Sequence, residues 1–163
     1  MLPPSQRFVA LTFNPIPLLV GRLSGNVEVM VAPQHSLVAS PNVLVLQVGR
    51  GARDNLISEG LGFASRTSGS VGVELGYHYW WLARGPLHGA FLGPSFLVGS
   101  TTDATVGDPS HAQAYWGAAF DVGGQEVLQG GLTIGAALGL GIVKMADALA
   151  AYPRLLVQVG WSF

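Results

Sequence analysis

Five charged residues lie on one face of segments that the sequence predicts as strands. Glu28, Glu74 and Asp121 alternate with larger apolar residues, and Arg22 and Arg154 lie on the corresponding face of their own segments. Buried charges must pair or change protonation state. If this face lines a narrow interior, we expect the five residues to form an internal ion network. The alternatives are a proton or ion path, or catalytic carboxylates.

The four histidines show no spacing that would suit a metal site. They are His35, His78, His88 and His111, and the chain has no cysteine. Zinc, P-loop and nucleophile-elbow motifs are absent from the sequence. The local cluster of catalytic residue types is Asp108, Ser110 and His111, in a polar loop. The sequence therefore predicts no metal site, no cofactor and no catalytic site.

The composition indicates a single domain, residues 1–163, with too little charge for an ordinary soluble surface. Charged residues make up 10% of the chain, against roughly 25% in a typical soluble domain. The long uncharged run between Glu126 and Lys144 holds five glycines, so it suits a membrane-spanning helix poorly. A net charge of −1 gives no reason to expect a nucleic-acid partner.

Alternation with a period of two is the main pattern in the chain, and it indicates strands with one apolar face. It is clearest at the end, where Leu155, Val157, Val159, Trp161 and Phe163 alternate with polar or small residues. The segments that we interpret as strands are 6–14, 22–31, 36–48, 70–81, 87–99, 112–122, 131–143 and 154–163. Eight such segments predict an all-β fold. Because their number is even, we expect an eight-stranded antiparallel up-and-down barrel in which the last strand pairs with the first.

The connections and the aromatic residues point to a barrel that spans a membrane. Short connections at 33–35, 83–86 and 123–129 alternate with longer or more polar ones at 49–69, 100–111 and 145–152, as in transmembrane barrels. Aromatic residues near the predicted strand ends would form interfacial girdles, with a ligand-stacking platform as the alternative. These residues are Tyr77, Tyr79, Trp80, Trp81, Trp116, Tyr152, Trp161 and Phe163.

The end of the chain resembles the last strand of small bacterial outer-membrane β-barrel proteins. Val157, Val159, Trp161 and the terminal Phe163 are similar to the signal that the barrel-assembly machinery reads. Some uncharacterised Gram-negative barrel families also look similar at Asn14-Pro15 followed by Arg22 to Glu28, at Glu74-Leu75-Gly76-Tyr77 and at Phe91-Leu92-Gly93-Pro94-Ser95. The resemblance implies a transmembrane barrel in the outer membrane of a Gram-negative cell, with both termini periplasmic, but it implies no reaction.

Three functions are compatible with these patterns. The first is an integral outer-membrane barrel with a side-chain-plugged lumen and a structural or surface-interaction role, monomeric and with membrane lipid and the assembly machinery as its partners. The second is an outer-membrane lipid-modifying enzyme, and the third is a soluble lipocalin-like carrier of an apolar ligand with its faces inverted. The first residues lack a secretory signal, so the barrel interpretation leads us to expect a leader removed before Met1.

Overall fold

A computed structural model of the chain describes residues 7–16, 22–44, 67–103, 111–146 and 148–163. Within these ranges, no helix is long and apolar enough to cross a membrane. The described residues form eight strands: β1 Val9–Phe13, β2 Arg22–Ala32, β3 His35–Leu44, β4 Thr67–Gly85, β5 His88–Asp103, β6 His111–Val127, β7 Leu132–Met145 and β8 Ala148–Ser162.

The strands form one closed ring in which each pairs antiparallel with its neighbours in the sequence. Strand β8 returns to β1, with Trp161 opposite Leu11 and Val159 opposite Phe13. The Phe163 amide donates to the Val9 carbonyl at 2.8 Å. The predicted eight-stranded antiparallel up-and-down barrel, and the pairing of its last strand with its first, are confirmed.

The two ends of the barrel carry different connections. The β2–β3, β4–β5 and β6–β7 connections share one end with Val9 and Phe163, and we call it the turn end. The other end, the loop end, holds the remaining connections. One of these was predicted as a loop over 145–152, and that prediction is wrong because β8 already begins at Ala148. Its first residues are small and apolar without alternation, so they give no strand signal.

The turn predicted over 123–129 is also displaced, because β6 continues to Val127. Gly123 lies where a Cβ would come within 2.5 Å of the Ala136 carbonyl, so this glycine allows two strands to approach closely. The chain turns instead near Gly130 and Gly131, whose φ angles of 91° and 92° favour glycine. Most of the predicted loops 49–69 and 100–111 lies outside the described residues.

Most large apolar side chains point outward on the described strands, and most inward side chains are small or polar. Tyr115, Val127 and Val143 are larger residues that are buried on the inward parity. Exposed outward residues include Leu23, Val27, Val29, Leu75, Phe120, Leu138, Leu140, Ile142, Leu155 and Trp161. The inward parity carries Glu28, Asp121, Thr133 and Gln158, all buried. This is the facing that the alternation predicts for β2, β4, β6, β7 and β8. The sequence left the faces of β3 and β5 open.

A small apolar core fills the interior near the turn end. Trp80, Leu87 and Phe91 are almost wholly buried there and pack with Ala10 and Ala137. Trp80 was predicted to join an outer girdle, and that is wrong because its side chain lies inside the barrel. Tyr152 also lies inside, with its ring against Gly141. Trp81, Trp116, Trp161 and Phe163 do face outward and are about half exposed.

Candidate functional site

The side chain of Arg154 crosses the interior from β8 and joins three strands on the far side. Its Nη1 lies 2.8 Å from Glu74 Oε1 on β4, and its Nε lies 3.4 Å from Asp121 Oδ1 on β6. Nη1 also donates to Ser95 Oγ on β5 at 3.3 Å. The three charged side chains are between 4% and 20% exposed. We call Arg154, Glu74 and Asp121 the Arg154 bridge.

Gly139 makes room for this bridge. It lies on β7 directly between its two partners, opposite Asp121 on one side and Arg154 on the other. A Cβ at this position would overlap the Asp121 carboxylate. The inward glycine therefore provides the space in which a buried carboxylate reaches its guanidinium partner.

Glu28 belongs to a different cluster, closer to the turn end. Its Oε1 lies 2.8 Å from His78 Nδ1 and accepts a hydrogen bond from Ser36 Oγ at 2.6 Å. The Ser36 oxygen in turn accepts a hydrogen bond from Trp80 Nε1 at 2.9 Å. Register explains the meeting, since Ser36 stands directly opposite His78 on β4 and diagonal to Glu28 on β2, where its direct partner is Met30. We call Glu28, Ser36 and His78 the Glu28 junction.

The Glu28 junction holds the aromatic residues that close the turn end. The His78 ring stacks on Phe91, with 4.0 Å between centroids and 23° between planes. Trp80 packs on the same Phe91 at 5.2 Å. The neighbouring Leu87 is fixed by its carbonyl, which accepts a hydrogen bond from Gln125 Nε2 at 2.8 Å. We call Trp80, Leu87 and Phe91 the closing layer.

Uncharged polar residues fill further inward positions, and the sequence analysis did not single them out. Thr12 Oγ1 donates to Gln158 Oε1 at 3.1 Å and accepts from Asn26 Nδ2 at 3.2 Å. Thr133 and Ser162 share a hydrogen bond of 2.6 Å. The signal that would have found them is their inward parity in otherwise apolar strands.

The predicted network of five charged residues is thus divided in the structure. Glu74, Asp121 and Arg154 come together in the bridge, whereas Glu28 pairs with His78 in the junction. The side chain of Arg22 lies outside the described residues. So does the loop cluster of Asp108, Ser110 and the side chain of His111. The proposed assembly residues Val157, Val159, Trp161 and Phe163 lie on the outward parity of β8, next to the seam with β1.

The geometry of the Glu28 junction differs from that of a nucleophilic catalytic site. In such a site histidine connects the serine to the acid, whereas here Glu28 connects Ser36 to His78. The Ser36 hydroxyl is wholly buried and donates to the carboxylate, so no substrate reaches it in this arrangement. Among the described residues, no group of three or more His, Cys, Asp or Glu side chains is placed to hold a metal ion.

Comparisons with known proteins give no match for this chain among protein-family models, curated proteins or solved structures.

Proposed function

We propose that this protein is an integral outer-membrane β-barrel with a side-chain-filled lumen, and that it serves a structural or surface-interaction role. The observation that carries the proposal is the outer surface. Among the side chains that the structure describes, outward-facing Asp, Glu, Lys and Arg occur at Arg84, Glu126 and Lys144 alone. The rest of the described outer wall is uncharged and rich in exposed apolar residues.

The positions of these charges delimit a band of the height that a membrane requires. Glu126 on β6 stands opposite Ile134 on β7 near the turn end. Lys144 also lies on β7, near the loop end. The ten steps along the strand from Ile134 to Lys144 span about 33 Å, because a strand rises about 3.3 Å per residue. A tilt of about 40° reduces this length to about 25 Å, the usual height of the apolar band.

The interior supports the same proposal. The charges that the outer wall lacks are inside, where the Arg154 bridge and the Glu28 junction give each a partner. Eight strands enclose a space that side chains can fill, and the closing layer fills it at the turn end. By the usual arrangement of short turns, we propose that the turn end and both termini are periplasmic. Membrane lipid and the assembly machinery would then be the partners.

The two other functions receive less support. A lipid-modifying enzyme needs a serine and a histidine that activate each other near the membrane surface. Ser36 and His78 are held apart by Glu28, whereas the cluster of Asp108, Ser110 and His111 lies outside the described side chains. A lipocalin-like carrier needs its large apolar side chains in the lumen. In this barrel Leu138 and Leu140, 66% and 73% exposed, lie outside instead.

The proposal is tested by refolding the urea-denatured chain with and without phospholipid vesicles. We expect β-structure and a compact, heat-sensitive gel band in vesicles or detergent, and aggregation in plain buffer. Membrane fractionation of a Gram-negative host that exports the chain should place it in the outer membrane. A monomer that folds and stays soluble in buffer without lipid would contradict the proposal and would favour the carrier.

A further inference from the structure

The interior is closed at the turn end and less tightly covered toward the loop end. The residues of the closing layer and Ser36 are at most 1% exposed. Toward the loop end, the inward residues Ser24, Asn26 and Ser40 are half-buried, and the Glu74 side chain is 20% exposed. On the opposite side of the lumen, Thr101, Tyr115 and Val143 are buried. The turn end is therefore sealed, and the least tightly covered part of the lumen is its β2–β4 side, next to Glu74.

Among the described side chains that line this lumen, negative charges outnumber positive ones; the side chain of Arg22, on the same inward face, lies outside the described residues. Among the described inward side chains between the closing layer and the loop end, carboxylates stand at Glu28, Glu74 and Asp121, and a guanidinium stands at Arg154. An excess of carboxylates in a narrow, low-dielectric passage attracts cations and repels anions. The Arg154 guanidinium lies between two carboxylates, where it acts as a tethered cation. A free cation that arrives from the loop end would compete with it for Glu74.

Both rings of the closing layer depend on the same carboxylate. Glu28 holds Trp80 through Ser36, and it holds Phe91 through the stacked ring of His78. Charge-assisted hydrogen bonds of this kind are the strong ones in a buried network. The loss of the Glu28 charge would therefore loosen Trp80 and Phe91 together.

We propose that the lumen is a gated path for small inorganic cations. The closing layer is its gate, the Glu28 junction is the latch that keeps the gate shut, and Glu74 and Asp121 select for positive charge. The inference goes beyond a permanently filled barrel, although it rests on the proposed membrane location. Wild-type protein is expected to stay closed for most of the time.

The test is single-channel recording in planar bilayers across a KCl gradient, with the whole chain. Wild type should be nearly silent. Glu28→Gln keeps the shape of the side chain but removes its charge, and it should raise the open probability by roughly tenfold or more, since a hydrogen bond to a charged group is weakened. The currents should reverse close to the potassium equilibrium potential. Glu126→Gln is the matched control, because this carboxylate lies on the outer rim and is 55% exposed, and it should remain silent.

A second substitution tests the selectivity. Adding Glu74→Gln to Glu28→Gln should move the reversal potential toward zero. Phe91→Leu opens the gate without touching a charge and serves in place of Glu28→Gln if that variant does not fold. Openings of wild type under high voltage should show the same cation selectivity, and they decide the question if neither variant folds. The inference is overturned if inserted Glu28→Gln, inserted Phe91→Leu and inserted wild type under high voltage all fail to conduct. It is also overturned if the currents show no preference for cations.

The membrane proposal is judged separately from these currents. Insertion is measured on the same vesicles by the heat-sensitive gel band. Protein that inserts but does not conduct contradicts the cation path alone, whereas protein that fails to insert contradicts the membrane location.

Discussion

At the scale of single residues, two interior carboxylates depend on one guanidinium. Arg154 supplies the positive charge for Glu74 and Asp121 at once. Breaking a buried ion pair by removing one partner costs more than never having had the pair. Gly139 is part of the same arrangement, since any side chain there displaces the Asp121 carboxylate.

Replacing Arg154 should therefore destabilise the barrel strongly. We expect Arg154→Met to lower the free energy of unfolding by about 3–5 kcal/mol, because it leaves two carboxylates in the lumen without a counter-ion. Neutralising both in Arg154→Met/Glu74→Gln/Asp121→Asn should recover much of the loss. Arg84→Met is the control, since the exposed Arg84–Glu126 pair should contribute at most about 1 kcal/mol. Urea unfolding from vesicles measures all three, and equal losses for Arg154 and Arg84 would refute the account.

At the scale of strands, β1 limits the closure of the barrel. It has five residues and pairs with β8 only from Ala10 to Phe13. At the end of β8, the Ser162 amide donates to the carbonyl of Gly131, just before β7, and the next amide, of Phe163, donates to Val9 on β1. Even-numbered amides of β8 therefore point toward β7 and odd-numbered amides toward the seam with β1. Within the described residues, no strand pairs with the seam side of β8 from Ala148 to Gln158. Pro153 falls on the odd parity, where its missing N–H removes no bond to β7.

Hydrogen exchange should report this asymmetry residue by residue. We expect slower exchange at Ala150, Tyr152 and Arg154, whose amides face β7, than at Ala151 and Leu155, whose amides face the seam, because a hydrogen-bonded amide must open before it exchanges. Strand β6 is the control, because it has neighbours on both sides and should be protected at consecutive positions. The measurement is amide exchange by NMR in detergent micelles. Uniform protection along β8 would mean that another segment pairs with its seam side.

The sequence predicts strands well where large and small residues alternate, and poorly elsewhere. Parity alone placed Val73 and Leu138 on the apolar face of their strands, because each alternating strand has one face that excludes charge. That this face points outward was an expectation of the membrane-barrel interpretation, and the carrier alternative had it inverted. The start of β8 at Ala148 escaped prediction, since a run of alanines and leucine fits several structures. Which inward residues meet was also beyond the sequence. Arg154 reaches Glu74 across the ring only because of strand tilt and lumen width, and neither can be read from spacing.

At the scale of the whole molecule, the distribution of charge is the reverse of that in a typical soluble protein. The outer wall is apolar, and the paired charges are within. We propose that hydrocarbon covers this wall. Leu138, near the middle of the apolar band and 66% exposed, should then tolerate arginine poorly.

We expect Leu138→Arg and Val73→Arg each to cost about 2–4 kcal/mol in bilayers, the usual cost of a cation on the lipid face at mid-depth. Gln129→Arg, in the exposed β6–β7 turn, is the control and should be nearly neutral. The free energy of unfolding from vesicles is the measurement. If all three substitutions are tolerated alike, the outer wall does not face lipid.

Folding of the barrel and its assembly in the cell place different demands on Phe163. Phe163 is 56% exposed on the outer face, and its backbone amide and carbonyl both pair with Val9. Replacing its side chain by alanine leaves this pairing intact and removes at most the roughly 1.5–3 kcal/mol of a fully buried side chain.

Refolding of Phe163→Ala in vesicles should therefore be close to that of wild type. If the assembly machinery also reads this residue, the outer-membrane yield in cells should fall far more than the refolding yield. Phe8→Ala is the matched control: Phe8 is 51% exposed, and its backbone carbonyl likewise accepts a β-sheet hydrogen bond, from the Met30 amide. Its substitution should lower both yields by similar small amounts. Equal behaviour of the two variants in cells would show that Phe163 only packs at the membrane surface, and the proposed assembly signal would lose its main support.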